Sequence, residues 1–386
     1  MKTINYTIPN PEFTYKFSCP KEEILFFDIE TTGLSAKSSS LYLIGVMFFD
    51  KDSGLWQLTQ WFADNYKSEK LIIENFLSTL ENYNYLYHFN GKTFDIPYVL
   101  TKCEKHDIQI SEHCQHILSD TTLTYSFDIL AYIRPLKKIL NISKANQTAL
   151  EQWLGIQRED EYDGGKLIKV YSEYMQCKIM KPEKADGLEH LLLLHNHDDI
   201  MQMLNVCSIL SYSSLADIDE FAISEISADE DNLIITFCHD IAIPQKVNIK
   251  KDYPESKSDI NLSFSLDIVI DKDYATLKVP MVYGILKRFY NNTSDYYYIS
   301  DADCVVHKSL ISTVGNAKRK KAAASTCYTK KEGMFLPSLT LCSCDNPQFY
   351  IVFRDKICFY ELPENPCDNN NKFWQSFIKI QLESIF

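Results

Sequence analysis

The sequence has no Cys-x-x-Cys pair. Its twelve cysteines are scattered, only Cys342 and Cys344 stand two apart, and no His or Cys cluster at ligand spacing completes a structural zinc site. Long apolar runs are missing too. The longest fully aliphatic stretch is Leu191 to Leu194, far short of the ~20 residues a membrane span needs. Thr3 to Lys16 is polar, so no secretory apolar segment follows Met1. Reduced thiols in a cytoplasm, with no membrane association, are the expectation. The third shortage is positive charge: 39 Lys and Arg stand against 52 Asp and Glu, a net −13. That balance excludes a broad scanning binder of nucleic acid, which is usually basic. Any contact with phosphate must be local, through a few cations or bridging metal ions. Internal repeats and long low-complexity tracts are absent as well.

What is present is ordinary for a folded protein, 45% hydrophobic and 24% charged residues, with an aromatic share of 13% that is mostly core-forming Tyr and Phe. A length of 386 residues predicts two domains. Ile24 to Phe27 reads as a buried strand ending in Asp28-Ile29-Glu30, Leu41 to Phe49 as a second, and Leu55 to Phe62 as a third after the turn Asp50 to Gly54. A helix over Ser68 to Leu80, a strand at Tyr85 to Phe89, a helix over Phe94 to Cys103 and a short strand at Tyr125 to Asp128 follow. Helices at Ile129–Leu140, Gln147–Leu154 and Leu188–Leu210 close the unit. The pattern predicts an α/β domain with a mixed five-stranded sheet over 22–212, a Ser/Asp/Glu-rich linker at 213–231 and an α+β accessory domain at 232–386. In that second domain, Leu233–Phe237, Leu262–Ile270 and Tyr274–Val279 read as strands. Cys304–Val314 and Asn371–Phe386 read as helices, and Phe349–Arg354 with Lys356–Glu361 reads as a hairpin.

Three acidic segments carry the chemistry. Positions i and i+2 of a strand share a face, so Asp28 and Glu30 project together from a strand end. Two like charges beside a core are costly unless something positive lies between them. Asp95 falls in the first turn of a helix after a strand, where an acid is common for dipole reasons alone. His195 and Asp199, four apart on a helix, share a face flanked by Leu192, Ile200 and Met203. Each segment alone is ordinary: a solvated triplet, a capping acid, a structural His–Asp pair. Together they bring four carboxylates to one cleft in the order such a fold converges them. Two divalent cations, Mg²⁺ or Mn²⁺, would match that charge and suit phosphodiester hydrolysis.

The arrangement resembles the DEDD 3′–5′ exonuclease superfamily with an RNase H-like fold, and more closely the YprB-like RNase H-like exonuclease domain. The resemblance spans roughly 22–212. It rests on Asp128-Ile129-Leu130, Arg134, Leu150-Glu151, Leu154-Gly155-Ile156, Arg158, Gly164 and His195-Asn196 with Asp199, in that order. It implies that Asp28, Glu30 and Asp199 hold one metal, that Asp28 and Asp95 hold a second, and that His195 is the general base. In His-type members the His stands five before the final Asp, and in Tyr-type members a Tyr stands four before. Here a His occupies the Tyr spacing. The resemblance also implies that Thr31, Thr32, Gly33 and Leu34 lie against the terminal nucleotide, Leu34 as a wedge, with Asn90 shaping the second-motif loop.

The expected activity is metal-dependent 3′–5′ exonucleolytic hydrolysis of DNA or RNA. The alternatives are a catalytically inactive nucleic-acid-binding module and an RNase H-like endonuclease. The partner is a nucleic-acid 3′ end, and the sequence names no protein partner. Lys318 to Lys321 and Lys330-Lys331 read either as a phosphate-contacting patch or as a solvated surface. Arg134, Lys137 and Lys138 lie nearer the acids in sequence. His88 and His197 read as ordinary polar residues and Trp153 as core.

Overall fold

The computed structural model describes residues 1–11, 15–158, 164–254, 264–314, 318–339, 346–368 and 372–386. Chain contacts divide it into two units, Met1–Ser211 and Tyr212–Phe386.

The first unit is built on a six-stranded sheet. Its strands are β1 (Lys2–Ile8), β2 (Ile24–Thr31), β3 (Leu41–Asp50), β4 (Leu55–Phe62), β5 (Tyr85–His88) and β6 (Ser126–Asp128), in the order β1-β4-β3-β2-β5-β6. Strands β1 to β4 pair antiparallel, while β2–β5 and β5–β6 are parallel. β2 is buried along nearly its whole length, as its unbroken apolar run Ile24 to Phe27 requires of a central strand. The sheet has one strand more than expected. β1 alternates Ile4, Tyr6 and Ile8 with polar residues, and this half-buried pattern pairs with β4 in register Lys2↔Phe62 to Ile8↔Trp56. A segment that reads as merely polar therefore forms an edge strand.

The helices are α1 (Glu69–Leu80), α2 (Asp95–Lys105), α3 (Glu112–Leu118), α4 (Ile129–Ile139), α5 (Gln147–Leu154), α6 (Gly164–Met180) and α7 (Pro182–Cys207). α3 and α6 lie outside the sequence expectation. α7 starts with Pro182 in its first turn, where a missing N–H costs nothing, and packs on β2, β3 and β4. It approaches closely at Gly45: a Cβ there would lie 2.2 Å from both Asn196 Oδ1 and Ile200 Cδ1. Buried Gln60 on β4 ties the same helix to the sheet, donating from Nε2 to Leu193 O at 2.9 Å and to Asn196 Oδ1 at 2.8 Å.

In the second unit a five-stranded sheet holds β7 (Ala222–Ala228), β8 (Asn232–Cys238), β9 (Val247–Asp252), β10 (Ser265–Ile270) and β11 (Tyr274–Pro280). β7 lies inside the expected linker. Its Ile223 and Ile226 stand in register with Phe237 and Ile235 of β8, so that segment is part of the sheet. Next come β12 (Val282–Phe289), β13 (Tyr296–Ile299), β14 (Cys304–His307), β15 (Arg319–Lys321), β16 (Tyr328–Ser338), β17 (Gln348–Phe349), β18 (Cys358–Glu361) and α8 (Lys372–Ile385). They form one sheet ordered β12-β16-β18-β17 and another ordered β14-β13-β15. The helix expected at Cys304–Val314 is instead β14 followed by a 3-10 turn over Lys308–Val314, because Val305 and Val306 pair with β13. The expected hairpin is shorter than predicted, with only Gln348–Phe349 pairing to β18. Leu262, Asn371, Cys342 and Cys344 lie outside the described residues. Described cysteines are free thiols, and no described helix is long and apolar enough to cross a membrane.

Candidate active site

The acids sit where β2, the start of α2 and the middle of α7 meet. Glu30 Oε1 lies 3.5 Å from His195 Nε2, and Asp199 Oδ2 lies 3.3 Å from the same nitrogen. Glu30, His195 and Asp199 each offer a ligand atom within 4.8 Å of the others. Asp28 and Asp95 border this group. Asp28 Oδ2 accepts from Asn196 Nδ2 at 2.8 Å, and Asp95 Oδ1 accepts from the backbone N–H of Ile29 at 3.3 Å. Asn196 in turn is held by Gln60. One turn of α7 thus supplies Asn196 to position Asp28, and His195 with Asp199 to the centre.

The electrostatics show the crowding. Burial raises the Asp28 carboxyl well above its ordinary range, and the charges of Asp95, Asp199 and Glu30 push it further. Burial lifts Glu30 to about 8; His195 opposes the shift while Asp199 and Asp95 add to it. Asp95 rises to about 7, chiefly by burial, against backbone N–H bonds that lower it and with Asp128 and Asp199 raising it. Asp28, Glu30 and Asp95 are thus held toward protons that they would release in water. A donor set of hard carboxylate oxygens carrying excess negative charge fits Mg²⁺ or Mn²⁺.

This strain gives the protein without metal a definite pH dependence. A carboxyl whose folded pKa lies above its unfolded value favours folding while protonated. That contribution is complete below the ordinary range and disappears as pH rises through the folded pKa. From Glu30 and Asp95, stability should fall between about pH 4.5 and 8. Thermal midpoints in a chelator are expected to drop across that window. Millimolar Mn²⁺ should restore most of the loss at pH 8 and little at pH 5, where protons compete for the same oxygens. A midpoint unaffected by Mn²⁺ at pH 8 would contradict this.

Other motif residues frame the cluster. Gly155 ends α5 in the left-handed region, φ +81°, a conformation that suits glycine. The turn brings Arg158 back, donating to both Glu151 oxygens and lying 2.6 Å from Asp199 Oδ1. Gln147 Nε2 donates to the Asp199 carbonyl at 2.6 Å. Asp128 caps α4, accepting from Leu130 N at 3.1 Å and Ala131 N at 3.4 Å, and also takes Asn90 N at 3.0 Å. Asn90 has φ +63°, and its side chain accepts from Thr93 Oγ1 at 3.2 Å, which fixes the loop leading to Asp95. Asp128→Ala is expected to lose ~1–2 kcal/mol from the cap and to leave Asn90 N without its acceptor. Thermal unfolding reads the loss, and Asp128→Asn should recover most of it.

Thr31 to Leu34 form a pinned loop. The β2–β3 register shifts between Glu30 and Thr31. Thr31 Oγ1 donates to Gly33 O at 3.0 Å, and Thr32 exchanges two 2.8 Å hydrogen bonds with Ser40. Leu34 projects into solvent, 85% exposed. Beneath the loop, buried Lys102 donates to Ser39 O and pairs with Glu69 at 2.9 Å, and His106 sits 2.7 Å from the other Glu69 oxygen. This support escaped sequence reasoning. Its signal was a lysine on the same α2 face as Tyr98 and Val99. Gln60, Gly45 and Asn196 in its positioning role escaped it as well.

His88 is buried between Ser126 Oγ and Gly91 N, burial pushing it down to about 4. His197 packs edge-on to Tyr6. Trp153 is half-buried, and Arg134 is exposed. Lys330 and Lys331 pair with Asp303 and Glu361, whereas Arg319 to Lys321 are exposed on β15.

Residues 25–211, within the first unit, match the family model of the RNase H superfamily. No curated protein sequence matches the chain. Among solved structures, the family B DNA polymerase of the hyperthermophilic archaeon Pyrobaculum calidifontis is similar over 57% of this chain and 35% of its own. The identity is 15% and the TM-score 0.38. The zinc-bound E. coli exonuclease I complex with single-stranded DNA is similar over 58% of this chain and 54% of its own, at 11% identity and TM-score 0.27. The same enzyme bound to a dA16 oligonucleotide gives 55%, 54%, 11% and 0.26. The chain thus spans between about a third and about half the length of these structures. At such scores the likeness carries nothing about activity.

Proposed function

We propose that the RNase H-like unit is a metal-dependent nuclease that removes nucleotides from a nucleic-acid 3′ end, by the chemistry its YprB-like resemblance implies. The observation that carries this reading is the meeting of Asp28, Glu30, Asp95 and Asp199 in one cleft, where burial and mutual charge raise Asp28, Glu30 and Asp95. By that resemblance Asp28, Glu30 and Asp199 would hold one cation, and Asp28 with Asp95 a second. Bound there, two divalent cations would acidify a water and offset charge on the scissile phosphodiester. His195 takes the water's proton at Nε2, the nitrogen that faces Glu30 and Asp199. Asn196 and Arg158 hold Asp28 and Asp199 in place. Thr31 to Gly33 present a fixed loop to the last nucleotide, and exposed Leu34 lies against its base, which favours a chain end over an internal site.

One observation favours the binding-only reading: Arg158 already neutralises part of the Asp199 charge. Arg158 is shared with a second carboxylate, Glu151, and Asp199 Oδ2 still faces His195, so the guanidinium offsets only part of the cluster's charge. The test uses 5′- and 3′-labelled RNA and DNA with Mg²⁺, Mn²⁺ or a chelator. Release of labelled mononucleotide from the 3′ label, with progressive shortening of the 5′-labelled strand, is expected. Internal fragments would assign an endonuclease, and binding without turnover would assign the inactive module.

A further inference from the structure

Positive charge in this acidic chain is concentrated in one stretch. Residues 282–356 hold eleven Lys and Arg against six Asp and Glu, while the whole chain is at −13. The second unit carries an open groove of about 530 Å³ in that stretch, lined in part by Arg288, Arg354, Lys356, Phe289, Tyr350 and Phe353. The three cations are exposed and the three rings half-buried. Among the described residues no carboxylate forms an ion pair with Arg288 or Lys356, unlike Lys330 and Lys331, which are neutralised.

The groove is built. Phe289 packs against Tyr350 at 6.2 Å and Phe353 at 5.2 Å between ring centres. Tyr350 is locked beside β12 by two backbone bonds with Lys287, at 2.9 and 2.8 Å. Arg354 holds φ +58°, a backbone conformation unfavourable for a residue with a Cβ and typically kept where a surrounding structure enforces it. Its guanidinium lies 5.2 Å from the Phe353 ring centre, and that of Arg288 lies 5.6 Å from Tyr290. Exposed cations beside half-buried rings along a groove are the elements that bind a single strand: charge for phosphates, rings for unstacked bases. The volume lies in the range that holds a small ligand or a nucleotide segment.

We propose that this groove is a second nucleic-acid contact, taking the phosphates of a single strand on Arg288, Arg354 and Lys356 and its bases against Phe289, Tyr350 and Phe353. The choice of occupant rests on the nuclease reading of the first unit; the groove itself does not depend on the metal site.

The experiment is fluorescence anisotropy with labelled (dT)20 and the full chain, in a chelator so that no cleavage occurs, over a range of salt. Wild type is compared with Arg288→Gln/Lys356→Gln and with Phe353→Leu, each checked for an unchanged thermal midpoint. The double variant is expected to bind on the order of 10-fold more weakly at about 0.1 M salt, with the slope of log K against log salt reduced by about 1.4. Phe353→Leu should weaken binding with the slope unchanged, because it removes stacking and no charge. If Phe353→Leu does not keep its fold, the charge variant alone decides. Affinity and slope equal to wild type in the double variant would overturn the proposal. So would dTMP or duplex DNA binding as tightly as (dT)20. Loss of binding in the variant, from a wild type that never cleaves in Mg²⁺ or Mn²⁺, would remove the nuclease reading and leave the groove. Cleavage with unchanged variant binding would do the reverse.

Discussion

Asp28→Asn should abolish metal-dependent cleavage, lowering the rate by on the order of 10³-fold or more, the scale of removing a principal electrostatic stabiliser. The substitution is nearly isosteric. The new carbonyl can still accept from Asn196 Nδ2, so the contact at 2.8 Å survives and only the charge is lost. The same change should make the metal-free protein more stable at pH 8, because Asp28 is pushed up first by burial and then by Asp95, Asp199 and Glu30. Each kcal/mol relieved would raise the thermal midpoint by ~2–4 °C. The two opposite signs make the prediction informative: a variant both inactive and less stable would point to misfolding. Steady-state cleavage assays with parallel thermal melts in a chelator measure both.

Gly45→Ala is expected to be the most disruptive single methyl group in the first unit. Gly45 lies opposite Asp28 in the β2–β3 pair. Its added Cβ would stand 2.2 Å from Asn196 Oδ1 and Ile200 Cδ1, both on α7. The obstacle is a buried amide already fixed by Gln60 and a fully buried isoleucine. Neither can swing into solvent, so the helix must move. Overpacking of this kind costs ~1–3 kcal/mol and sometimes more. The shift carries His195 and Asp199 with it, so activity should fall on the order of 10²-fold, the scale of an ångström of misplacement. Thermal unfolding and cleavage rates check this together. An alanine variant with wild-type stability and rate would mean that α7 does not approach β3 as closely as described.

The acids were legible because their chemistry conflicts with their setting. Asp28 and Glu30 interrupt an apolar strand, and Asp199 interrupts the inward face of a helix. Charges at such places need a reason, and the three segments share one. The order of β2 to β6 was legible for a related cause, since a buried central strand leaves an unbroken apolar run. β1 was not, because an edge strand on a half-solvated face alternates weakly and resembles a polar tail. The support behind the site was also hidden. Gln60 and Lys102 look like surface residues in sequence, and only the three-dimensional partners, Asn196 and Glu69, explain their burial. In the second unit the stretch Cys304–Val314 misled because Val305 and Val306 fit a helix face as readily as a strand; pairing with Tyr297 and Tyr298 decided it.

The central claim is tested most directly by calorimetric titration of Mn²⁺ into chelator-treated protein at pH 8. Two ions bound per chain are predicted, with binding weakened at pH 5 and at least one ion lost in Asp28→Asn. No saturable binding at millimolar Mn²⁺, or a titration that Asp28→Asn leaves unchanged, would contradict it.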